Sequence, residues 1–70
     1  MIGIVKKIDA QGFGIIACAD GSKIPFIRAG IRNRNMLEPG ERVVFSLRMV
    51  KDTAFAQNIT AVPDWRLSSV

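Results

Sequence analysis

Seventy residues with a net charge of +4, one Cys and no His make one small basic domain. They exclude a disulfide framework, a Cys- or His-built metal site and general-base chemistry by His. Hydrophobic residues are 49% of the chain, enough for a core, and no apolar run approaches the roughly 18 residues that span a bilayer.

The order of charges in "MIGIVKKIDAQG" reverses that of a secretory signal, so the expectation is a soluble, cytoplasmic protein with no membrane partner. A basic charge on so small a domain favours an anionic partner, nucleic acid first. No constellation of paired carboxylates or activated nucleophiles is present, so the reading is a binding protein, not an enzyme, with no cofactor and no metal.

Short β-branched runs recur between turn signals, and no long window carries a helical period. Ile2 to Ile8 is the first run, and Asp9-Ala10-Gln11-Gly12 connects it tightly to the second, Phe13 to Cys18. Ala19-Asp20-Gly21-Ser22 carries Asp-Gly, a strong hairpin signal. The third run is Lys23 to Arg28, where Pro25 marks an edge or a bulge because it has no N–H to donate. Residues 29–40 form the longest connection and end in the turn Glu38-Pro39-Gly40. Glu41 to Val50 is the fourth run, and after Lys51-Asp52-Thr53 the fifth is Ala54 to Val62. The fold expected is all-β, a five-stranded antiparallel Greek-key barrel of the OB type over residues 1–62, with a C-terminal tail at 63–70.

Side chains alternate faces along a strand. Ile16, Cys18 and Ile27 make the more uniformly apolar side and are assigned to the core, where Val43, Phe45, Leu47 and Met49 are expected to meet them. Phe13, Phe26 and Arg28 then face outward as a stacking platform, bordered by Lys6 and Lys7. The competing assignment puts both Phe rings in the core. Glycine weakens a strand interior, so the two in "GFGII" need a purpose. The expected one is to clear the surface on either side of Phe13 for a flat ligand. Cys18 reads as a small buried hydrophobe.

The stretch "GIVKKIDAQGFGIIACADGSKIPFIRAGI" resembles the first three strands of the bacterial cold-shock domain, with its G-x-V-K-W-F-N, K-G-F-G-F-I and D-G-x-D-V-F-V-H motifs. "LEPGERVVFSL" and "AQNITAV" are similar to that family's fourth strand and ending, so the likeness covers residues 2–62. It implies an OB barrel that binds single-stranded RNA or DNA. Its RNP1 and RNP2 motifs would be Gln11 to Ile16 and Pro25 to Arg28, with Phe13 and Phe26 stacking bases and Lys6 holding the backbone. In this chain Lys7 replaces the family's Trp, Gln11 the Lys of K-G-F-G-F, Ile15 its second Phe and Arg28 the His of V-F-V-H.

The resemblance thus implies a divergent member whose binding leans on charge. Lys7, Arg28, Arg32 and Arg34 would supply that charge, and Phe55, entering the fifth strand, is placed to rejoin the platform from the side. Arg32 and Arg34 read equally well as a solvated polar loop. Trp65 in the tail has four readings: a stacking surface, an anchor on the barrel, part of a linker, or a self-association contact. The alternative function is a protein-interaction or dimerisation module derived from such a domain, as a homodimer or in fusion with a larger protein.

Overall fold

The computed structural model describes residues 1–33 and 36–62. It contains β1 (Ile2–Ile8), β2 (Phe13–Cys18), β3 (Lys23–Ile27), β4 (Arg42–Val50) and β5 (Thr53–Ala61), with a 3-10 turn at Arg28–Gly30 after β3. Each expected run is a strand, with ends displaced by one residue in β3, β4 and β5. Arg34, Trp65 and the tail from 63 to 70 lie outside the described residues.

The first two hairpins close by the same device. Asp9 N–H donates to the Phe13 carbonyl at 2.8 Å, and Gly12 N–H donates to the Asp9 carbonyl at 3.0 Å. Cys18 N–H donates to the Ser22 carbonyl at 2.9 Å, and Gly21 N–H to the Cys18 carbonyl at 3.0 Å. Each loop is thus three residues long and ends on a glycine in the left-handed region, Gly12 at φ 95° and Gly21 at φ 91°. An aspartate fixes each loop. Asp9 Oδ1 accepts from the N–H groups of Gln11 and Phe13, and Asp20 Oδ1 accepts from the N–H and hydroxyl of Ser22.

The third loop residue decides the face of β3. A two-residue Asp-Gly turn would set Phe26 opposite Ile15 and turn both outward. With three residues in the loop, Phe26 pairs with Gly14, Pro25 with Ile15, and Ile27 with Phe13. Directly opposed residues share a face, so a slip of one residue inverts the strand. The outward assignment of Phe26 is therefore corrected: the ring lies in the core, 1% exposed, while Ile27 faces out, 45% exposed.

Gly14 acquires a different purpose as well. A Cβ there would stand 2.5 Å from Phe26 Cζ and 2.6 Å from the Lys7 carbonyl oxygen. The glycine makes room for a core ring, not for a ligand above Phe13.

Around Phe26 the core gathers Val5, Ile16, Leu37, Val43, Phe45 and Ile59. Cys18 is half-buried and packs against its edge. Leu47 and Met49, expected inward, are 40% and 62% exposed. The reason is local: among the described residues, β5 alone pairs with β4 beyond Phe45.

The strand order is β3-β2-β1-β4-β5, every neighbouring pair antiparallel. Three meandering strands followed by a fourth beside the first form a Greek key. Stitches from the segment after β3 to β5 close the sheet into an OB-type barrel. Ile31 bridges Ile59 in parallel, and Arg32 N–H donates to the Ile59 carbonyl at 2.7 Å. The Asn33 amide both donates to and accepts from the Ala61 backbone. Asn58 takes φ 52° at a register shift between β4 and β5. Asparagine tolerates that conformation better than most residues. Among the described residues no helix is long and apolar enough to cross a membrane.

Candidate nucleic-acid interface

Register places two rows of side chains on the outer face of β1, β2 and β3. One row is Lys7, Ile15 and Pro25; the next is Phe13 and Ile27. They line an open groove of about 420 Å³, to which Phe55 of β5 also contributes. Phe13 is 57% exposed, a bare aromatic ring beside the aliphatic Ile15, Pro25 and Ile27. Phe26 lies beneath this groove, within the core.

Local chemistry fixes the backbone that carries that ring. Asp9 bonds the Phe13 N–H through its carboxylate at 3.0 Å and the Phe13 carbonyl through its own N–H. The same carboxylate, although acidic, has an oxygen occupied by two backbone donors. Gly12 brings Arg28 alongside: a Cβ at Gly12 would stand 2.7 Å from Arg28 Cβ. Both its positive φ and this approach demand glycine there.

The expected site residues separate into groups. Lys7, Phe13, Ile15 and Phe55 line the groove together. Arg28, exposed, opens the 3-10 turn beside the β1–β2 loop. Lys6 is the extra residue of a bulge between Val5 and Lys7 and borders a different groove, with Ile2, Ile4, Ala17 and Arg42. Arg32 is exposed and belongs to a third groove, which it shares with Arg48. Arg34 falls outside the described residues.

Three lining residues were not expected as contacts: Pro25 and Ile27, within the RNP2-like stretch but with Ile27 assigned to the core, and Arg48 on β4. For the first two a signal existed. Gly21, read as the left-handed third residue of its loop, sets Pro25 opposite Ile15. Arg48 had no such signal, because alternation along β4 does not reveal which other segment faces it.

The arrangement can stack a planar group on Phe13, hold apolar surface against Ile15, Pro25 and Ile27, and neutralise an anion at Lys7. Among the described residues no three side chains of His, Cys, Asp or Glu come together as metal ligands.

No family model matches the chain. It is similar to the cold shock-like protein CspB of Yersinia pestis and to that of Yersinia enterocolitica, 38% identical over 66 residues in each case. Each alignment covers 89% of this chain and 94% of the relative.

Proposed function

The chain belongs to the cold-shock protein family, and on that premise we propose that it binds single-stranded RNA or DNA as an RNA chaperone or regulator of expression, without enzymatic activity. The observation that carries this reading is the exposed Phe13 ring, on a backbone held by Asp9 and flanked by Ile15, Pro25, Ile27 and Lys7. A base stacks on Phe13, the aliphatic side chains contact sugar and base edges, and Lys7 and Arg28 take phosphates. Phe55 contributes a second ring from β5. Binding of this kind tolerates many sequences, because every base has a flat face.

A fluorescence titration with a heptamer of T or U tests it. Phe13→Ala should weaken binding by about 5- to 150-fold, the equivalent of one lost stack of about 1–3 kcal/mol. Undiminished affinity in that variant sinks the stacking model.

A second reading, a protein-interaction or dimerisation module, draws on Ile2, Ile4 and Val44, all exposed on the outer face. Sedimentation separates the two. A dimer that Ile4→Lys disperses, with no oligonucleotide binding, would favour the second.

A further inference from the structure

The groove at Phe13 does not end at Phe55. Phe55 and Ile27 also line a third groove, of about 570 Å³, between the 3-10 turn and the β4–β5 hairpin. Arg48 lies directly opposite Phe55 in the ladder, so the two side chains share a face. Arg32 approaches from the segment after the 3-10 turn and donates to Asn58 Oδ1 at 2.9 Å. That bond uses one of the five N–H donors of its guanidinium and holds the group over β5. Among the described residues, the remaining polar lining is Gln57 and Asn58, and none of the lining side chains is acidic.

Phe55 thus stands where two grooves meet, one with an exposed aromatic ring and a lysine, the other with two arginines and two amides. We propose that a single strand continues past Phe55 into this third groove, where Arg48 and Arg32 clamp its phosphates. The inference rests on the single-strand reading above and adds a second half-site to it. An anionic polymer fits better than a peptide here, since both charged side chains described in the third groove are arginines.

The two half-sites predict a length dependence. OB folds occupy about 4–16 nucleotides. A hexathymidylate lies near the short end and fills the Phe13 groove; a dodecathymidylate reaches the hairpin. Arg48→Gln should weaken dodecamer binding by about fivefold, the effect of one exposed charge contact. It should leave hexamer affinity unchanged, and Arg48→Glu should enlarge the difference. Arg48 is exposed, and thermal melts followed by circular dichroism should show both variants folded.

Equal weakening of both oligomers, or of neither, overturns the second half-site while leaving the Phe13 site intact. Failure of the unaltered protein to bind either oligomer overturns both readings.

Discussion

Phe13 and Phe26 are thirteen positions apart, chemically identical and opposite in role. Phe26 fills the core, so Phe26→Ala should cost about 3–5 kcal/mol, a large share of what a small domain has. Phe13 is exposed, and Phe13→Ala should leave the urea midpoint nearly unchanged while reducing oligonucleotide binding. Gly14 is the counterpart of Phe26. Gly14→Ala should cost about 1–3 kcal/mol, because the new methyl meets the ring and the Lys7 carbonyl. The two changes should be non-additive: in Phe26→Leu, which frees space at the ring edge, Gly14→Ala should be milder. Urea denaturation of the four proteins measures the coupling, and strict additivity would separate the glycine from the ring. The sequence marked "GFGII" as unusual because a strand interior rarely tolerates two glycines. It could not say what each glycine accommodates, since the nearest contacts come from Phe26 and Arg28, more than ten residues away.

At the level of elements, the strands were legible and one register was not. Alternation in β2 and in the first half of β4 placed Ile16, Val43 and Phe45 correctly. In β3 both faces are apolar, because Ile24 and Phe26 alternate with Pro25 and Ile27. Hydrophobicity therefore cannot orient it, and the loop does. Asp20 is central to that loop, and its carboxyl is held below the usual carboxylate range, first by the Ser22 hydroxyl and then by the Ser22 N–H. A depressed folded value means the contribution to stability is present above about pH 4 and lost as pH falls through the folded value. The group is fully exposed, so the direct readout is its titration by carbon NMR. Ser22→Ala removes the first cause and should move the Asp20 titration up toward the ordinary value. An unmoved titration would mean that the hydroxyl bond does not persist in solution.

The whole molecule is a barrel with apolar side chains on both sides of its sheet, a core within and a bare aliphatic face without. One exposed Phe on that face, at about 1–3 kcal/mol per stacked base, cannot hold a strand tightly alone. On the function proposed, phosphate contacts supply most of the affinity, and the cations lie along the two grooves. Lys7 borders the first groove, Arg28 the loop beside it, and Arg32 and Arg48 the third groove. Four neutralised phosphates give a slope of log K against log salt of about −3, at about −0.7 for each. Raising salt from about 50 to about 200 mM should then weaken binding roughly 60-fold. Lys7→Gln should reduce the slope by about 0.7 and leave the dependence on Phe13 intact, because stacking releases no counterions. Titrations of the unaltered protein, Lys7→Gln and Phe13→Ala at several salt concentrations resolve the two contributions. The reverse pattern, a flat salt dependence with all affinity lost in Phe13→Ala, would place recognition in the ring alone and leave the arginines as solvated surface.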